Sequence, residues 1–323
     1  MPPPVTVAIP VRNGGPLLAE VLDAVAAQRI DRELELLVCD SGSTDGSVAL
    51  AQGRGARVLR IAPVEFSHGS TRNLLAREAR GAHVAFLTQD SSPAGDGWLA
   101  ALLEGFAVAP EVALVTGPCL PRPGTTAAVA RELHDFFAGM HEGTPRVYRL
   151  ADAGDPPSPG PATFHTDANG AVLRAAWERV PFRPVPFAED QQLCLDMLRA
   201  GYSKVFNPGA SVVHSHEYPP LERFRRHFDE FRALQETYGH VADVHPRRSL
   251  GRVRDQVRRD RAYERARGSG GAAVDAATLQ SVGYHAARVA AAALGSRADA
   301  IPAPIRRYLS SERRSSPDAV ADS

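Results

Sequence analysis

The chain has 323 residues with 37 basic and 37 acidic side chains. That length admits one large α/β domain with an appendage or two modest domains, and the balanced charge excludes a general attraction to nucleic acid. Cys39, Cys119 and Cys194 are odd in number, far apart and set in apolar stretches, which excludes a disulfide frame or zinc cluster and reads as reduced core thiols.

Met1-Pro2-Pro3-Pro4 leads into a strand-like segment with no basic region and apolar core before it, so no secretory signal is expected. No apolar run reaches the ~18 residues of a membrane-spanning helix. A soluble, cytoplasmic protein is expected, with peripheral contact to the inner face of the membrane as one option. Short β-rich runs then alternate with helical spacing. The strands are Val5–Val11, Leu34–Cys39, Arg57–Ile61, His83–Thr88 and Val112–Thr116, and the helices fall around 16–28, 44–53, 70–80 and 97–107. This alternation predicts a mostly parallel sheet with helices on both faces, whose ligands lie outside the carboxyl ends of the strands. Those positions hold Arg12-Asn13, Asp40 through Asp45, and Gln89-Asp90.

The stretch 118–161 reads as an insertion or mobile loop, with a helix-like piece at 125–140 and a Pro/Gly/Asp-rich segment at 152–161. A second block from Ala162 carries Asn169 and Trp177, then Phe187-Ala188-Glu189-Asp190 entering a helix at 190–200, a stop at Gly201 and a strand Ser203–Phe206. Beyond His216 the chain is helical and arginine-rich to 267, breaks at 268–271 and continues in an Ala-rich helix at 273–294. The last dozen residues are expected to be disordered. The expected division is a domain at 1–218, with a donor half to 117 and an acceptor half after it, followed by a helical extension at 219–323.

Asp40 stands at the end of the second strand, where a carboxylate can bond a pyrimidine or ribose, and Ser43 or Thr44 can cap the helix that follows. Arg72 can reach a diphosphate, and Asn73 can bond the strand-end backbone. His214 and His216, two apart in an extended segment, point to the same side.

Taken in order, these segments resemble the family 2 glycosyltransferases, which have the GT-A fold. Ile9-Pro10-Val11-Arg12-Asn13 is similar to the family's I-P-x-x-N, and Asp40 through Ser47 to its D-x-G-S-T-D-G-S. Phe66-Ser67-His68-Gly69-Ser70-Thr71-Arg72-Asn73 and Phe86-Leu87-Thr88-Gln89-Asp90 resemble the rhamnosyltransferase-like branch. The resemblance covers about residues 5–218. It implies a nucleotide-sugar donor held by Pro10, Asn13, Asp40, Arg72, Gln89 and Asp90, with dTDP-rhamnose favoured over UDP- or GDP-sugars. Gln89-Asp90-Ser91 stands where the family carries an acidic D-x-D for Mg²⁺ or Mn²⁺, and only one carboxylate remains. The resemblance implies Asp90 and His214 as metal ligands, with His216 the alternative.

Glu189-Asp190 is similar to the family's E-D motif, which implies Asp190 as the base in an inverting transfer. The acceptor side, with Asn169, Trp177 and Glu189, is expected to take a cell-envelope glycan or lipid-linked hydroxyl. The arginine-rich helices are expected either to lie against an anionic membrane or to cover the core and tether a homodimer. The loss of an acid at Gln89 leaves a non-catalytic nucleotide-sugar-binding scaffold as the contrasting reading.

Overall fold

The computed structural model describes residues 3–312. Two compact units form: the chain to Leu120 with Phe137–His214, and Pro121–Phe136 with the chain from Ser215 on. Most of the tail expected to be disordered, from residue 313, lies outside the described residues.

To residue 214 the elements are β1 (Val5–Val11), α1 (Gly15–Ala26), β2 (Leu34–Asp40), α2 (Ser47–Gly53), β3 (Arg57–Arg60), α3 (His68–Glu78), β4 (His83–Leu87) and β5 (Ser92–Pro93). There follow α4 (Trp98–Phe106), β6 (Val112–Thr116), β7 (Cys119–Leu120), α5 (Ala127–Ala138), β8 (Arg146–Tyr148), β9 (Asn169–Leu173), α6 (Arg174–Trp177), α7 (Glu189–Arg199), β10 (Ser203–Phe206) and β11 (Val212–Val213). The main sheet has the order β3-β2-β1-β4-β9-β6-β10-β8. It is mixed and mostly parallel, as expected: β3, β2, β1 and β4 run together, β6 and β10 run together, and β9 and β8 are reversed.

Burial explains the strand sequences. Every residue of β1 except Pro10 is buried, as a central parallel strand covered on both faces requires. In α1, Pro16 sits in the first turn, where no N–H partner is needed, and Leu18, Val21, Leu22 and Val25 form the buried stripe. Gly105 lets α4 close on the sheet, since a Cβ there would stand 2.6 Å from a Val115 methyl.

Two features fix the functional edge. The β1–β4 pairing ends at Ala8↔Phe86, whereas β1–β2 continues to Val11↔Asp40. Pro10 has no N–H to extend the first ladder, so the carboxyl ends of β1 and β4 part where open α/β sheets take their ligands. A small second sheet, β5-β11-β7, is built just beyond this edge.

The segment 118–161 is not a plain insertion or loop. Cys119–Leu120 pairs with β11, and Arg146–Tyr148 closes the main sheet as its edge strand, antiparallel to β10. Tyr148 holds that edge down, buried, with its hydroxyl donating to the Met140 carbonyl at 2.8 Å.

The second unit adds α8 (Pro220–Tyr238), α9 (Pro246–Ala266), α10 (Gly271–Gly295) and α11 (Ala303–Leu309). Gly295 permits a close crossing of α10 on α8, where a Cβ would lie 2.3 Å from the Phe228 carbonyl oxygen. Asp260, buried in α9, pairs with Arg131 and accepts from Ser281 at 2.5 Å, and one of its oxygens lies 2.7 Å from His285 Nε2. Among the described residues no helix is long and apolar enough to cross a membrane.

Candidate active site

The loop after β1 is pinned by short polar side chains from the loop after β2. Asn13 takes a left-handed φ of +51°, and its side-chain oxygen accepts from Thr44 N at 2.8 Å. In return Asn13 N donates to Ser43 Oγ (2.9 Å), Gly14 N to Ser47 Oγ (2.9 Å) and Gly15 N to Asp45 (3.0 Å). Ser43 and Thr44 therefore brace this loop and do not cap α2, which begins at Ser47 behind a left-handed Gly46. Asp40 is buried at the end of β2, and its carboxylate accepts from Gly42 N and Ser43 N at 3.1 and 3.2 Å. Pro10 lies in β1 opposite Cys39.

Gln89 answers for the missing acid. Its side-chain oxygen accepts from Arg12 N at 2.8 Å and its amide nitrogen donates to Arg12 O at 3.2 Å, tying the ends of β1 and β4 together. A carboxylate has no proton for the second bond. Gln89 thus bonds to the main chain, a different use from the donor contact expected of it.

The small sheet brings Asp90 and His214 together. β5 and β11 are antiparallel with Ser92 opposite Val213, which brings the chain just before β5 alongside the chain just after β11. A carboxylate oxygen of Asp90 lies 3.5 Å from His214 Nε2, both side chains being half-buried. An oxygen and an imidazole nitrogen form a donor pair suited to Mn²⁺ or Mg²⁺ when substrate oxygens complete the shell. His216 belongs to the second unit, its ring stacked on Tyr218 with centroids 4.9 Å apart.

The second polar cluster gathers around α7. Arg72 on α3 is buried, with Nη1 2.5 Å from Glu189 Oε1 and Nε 2.8 Å from Asp167 Oδ2. Asp190 accepts from Gln191 N at 2.8 Å and from Asp167 N at 3.3 Å. Burial, then the neighbouring Glu189 carboxylate, raises Asp190 to about 7 against the pull of Arg72. Burial likewise holds Asp167 well above the usual carboxylate range. A carboxyl poised near neutrality suits a general base. The Asp90 loop adjoins the segment carrying Asp167, for Ser91 Oγ donates to the Ala168 carbonyl at 2.5 Å, and Asp167 N in turn donates to Asp190.

Several sequence expectations move. Arg72, expected at a diphosphate, is committed to two carboxylates, and Glu189, expected on the acceptor side, is one of them. Asn169 is buried at the start of β9, accepting from Trp98 Nε1 at 2.8 Å and donating to the carbonyls of Pro118 and Ala210 at 3.1 and 2.7 Å. Trp177 packs in the core and donates to Asn73 Oδ1 at 2.8 Å. Asn73 also accepts from Phe182 N and donates to Phe182 O, so it braces the approach to α7 and not a strand end. Asn169 and Trp177 thus spend their polar atoms on the fold. Asp167 and His165 had no signal in the sequence, because only the reversed strand β9 carries them to Arg72. The cysteines are free and buried as expected, with burial raising Cys39 to about 11 and Cys119 to about 12.

Known proteins are similar to this chain in sequence and fold. The family model described as "Glycosyl transferase family 2" matches residues 6–148. The O-antigen chain rhamnosyltransferase RfbN of Salmonella typhimurium strain LT2 is 32% identical over 231 residues, covering 70% of each chain. The O-antigen chain rhamnosyltransferase WbaN of Salmonella anatum is 30% identical, covering 70% of this chain and 71% of the relative. Among solved structures, mannosyltransferase PcManGT from Pyrobaculum calidifontis, in complex with GDP-Man and Mn²⁺, has a TM-score of 0.60 at 20% identity, covering 91% of this chain and 87% of its own. The glucosyl-3-phosphoglycerate synthase of Mycobacterium tuberculosis, in complex with phosphoglyceric acid, has a TM-score of 0.51 at 20% identity over 75% of this chain and 82% of its own. With a mixed sheet parting at Pro10, a strand-end carboxylate facing a histidine, and relatives of this identity and coverage, the chain belongs to glycosyl transferase family 2 and is a glycosyltransferase with the GT-A fold.

Proposed function

We propose that this glycosyltransferase moves rhamnose from dTDP-rhamnose to a hydroxyl of a cell-envelope glycan or lipid-linked acceptor, with inversion. The donor sugar rests on the two O-antigen rhamnosyltransferase relatives. The chemistry rests on one observation: Asp190, at the first turn of α7, accepts from Asp167 N, and the next residue, Ala168, accepts from Ser91 beside Asp90, so the two carboxylates are linked through one short segment, with burial raising Asp190 to about 7. Asp190 takes the proton of the acceptor hydroxyl as that oxygen bonds the anomeric carbon, and the bond to the diphosphate breaks with its electron pair leaving on phosphate oxygen. One displacement inverts the sugar and needs no enzyme nucleophile. Asp90 and His214, with His216 as the alternative, would hold a divalent cation that supplies charge stabilisation to the diphosphate. Asp40, Pro10 and Asn13 shape the nucleotide end.

The test is transfer from thymidine-, uridine- and guanosine-diphosphate sugars with and without Mn²⁺, run beside Asp190→Asn and His214→Ala. Preference for dTDP-rhamnose, Mn²⁺ dependence lost in His214→Ala, and no turnover in Asp190→Asn are expected. Preference for another donor removes the rhamnosyl assignment. Binding without transfer in the unaltered protein supports the scaffold reading.

Peripheral membrane contact has its own basis in α9. Arg247, Leu250, Arg254, Arg258 and Arg265 fall on one helical face and are exposed, Leu250 by 72%. Co-sedimentation with phosphatidylglycerol vesicles but not neutral ones is expected. Equal recovery with both overturns it, and light scattering on the same sample reads the expected homodimer.

A further inference from the structure

Asp190 is surrounded by titratable groups from four parts of the fold. α3 gives Arg72, the segment before β9 gives His165 and Asp167, α7 gives Glu189 and Cys194, and β10 gives Lys204. Lys204 is spent on the Pro161 and Phe164 carbonyls. His165 is pushed down to about 3 by burial, then by Lys204 and Arg72, and is neutral. Cys194, raised to about 11 by burial, is a neutral thiol. One guanidinium therefore faces three carboxyls. It touches Glu189 and Asp167, while Asp190 is held by two backbone amides.

Together with the reading of Asp190 as the base, on which this rests, we infer that Arg72 is a positioning residue for the acceptor side of the reaction: it clamps Asp167 and Glu189 about Asp190 and sets one buried positive charge against their carboxyls. A guanidinium is suited to this because it cannot lose its proton and its fork reaches two carboxyls at once. Arg72 is 4% exposed and Asp167 fully buried, so Coulomb interactions between them and Asp190 are weakly screened. Arg72 and Glu189 act on Asp190 with opposite sign. The positive charge favours its ionised form, and the negative charge disfavours it.

The experiment is the pH profile of kcat/KM for the full chain, from pH 5 to 9, in Arg72→Gln, Arg72→Lys, Glu189→Gln and Asp190→Asn. Arg72→Gln is expected to move the acid limb up by about one unit, an approximately tenfold loss below the limb that is recovered at high pH. Arg72→Lys restores it in large part. Glu189→Gln keeps an oxygen for the Arg72 bond and moves the limb down. If Arg72→Gln fails to fold, the downward shift in Glu189→Gln carries the test. Limbs that stay in place while activity falls at every pH overturn the inference, as does a raised KM for the donor with a fixed limb, which would return Arg72 to the diphosphate. Full turnover in Asp190→Asn instead sinks the assignment of the base, a separate failure.

Discussion

The carboxyl proposed as the base, Asp190, is half-buried at a standing cost to the fold, and Asp190→Asn should expose that cost. Asp190 holds its proton to about 7 in the folded protein, against an ordinary value of 3.8. Between those two values the folded chain keeps a proton that the unfolded chain has lost, so stability falls as pH rises through this window and is flat above it. Three units at ~1.4 kcal/mol each set a ceiling of ~4 kcal/mol. Asp190 is open to solvent on one side, and the asparagine loses the longer of two backbone bonds, from Asp167 N at 3.3 Å, worth ~1 kcal/mol. A net gain of about 2 kcal/mol above pH 7 remains, reversing to a loss of about 1 kcal/mol near pH 4. At 2–4 °C per kcal/mol for a unit of this size, calorimetry at pH 8 should show Tm higher by roughly 4–8 °C in Asp190→Asn, the same variant in which the proposed function expects turnover to be lost. A Tm difference that does not change with pH, or a variant less stable at pH 8, would refute the reasoning.

Three further outcomes are expected. Asn73→Ala removes three hydrogen bonds to Trp177 and Phe182 and should cost about 3 kcal/mol by urea unfolding, with the donor KM unchanged. Gln89→Glu keeps the acceptor for Arg12 N but loses the donor to Arg12 O, so Tm in EDTA should drop by an amount equivalent to ~1 kcal/mol, while added Mn²⁺ raises Tm more than in the unaltered protein. Asp260→Ala strands Arg131 and His285 in the second unit at a cost of about 3–5 kcal/mol. Because its partners hold Asp260 below the ordinary carboxylate range despite burial, its stabilisation is present above that range and fades as the solution is acidified, which a pH series of unfolding curves reads.

The strands legible from sequence were those with a full apolar run. Val5–Val11, Val112–Thr116 and Ser203–Phe206 have the bounds that their side chains imply. β9 was not legible, because Asn169-Gly170 at its start reads as a turn. The glycine is there for another reason: a Cβ would lie 2.6 Å from the His165 ring and the Thr166 carbonyl. β8, a three-residue edge after a Gly-rich stretch, has too little pattern to separate from loop. At the site, the motif positions of Asp40, Asp90 and Asp190 mark the right strand and helix ends. Side-chain assignments were harder. Arg72 and Gln89 look like donor contacts by position, yet their partners stand 117 and 77 residues away, across pairings that local spacing cannot reveal.

The reversed direction of β9 has a consequence for how this scaffold can diversify. A parallel strand in that slot would deliver its carboxyl end to the catalytic edge. β9 instead presents its entry, since Asn169 lies beside Leu87 and Gly170 beside Thr116. The approach segment that carries His165 and Asp167 is thereby fed in from the stretch upstream, between the edge strand β8 and the sheet centre. Residues can be gained or lost there without shifting the register of any strand that holds the nucleotide side, so one half of the reaction can be rewritten while the other stands.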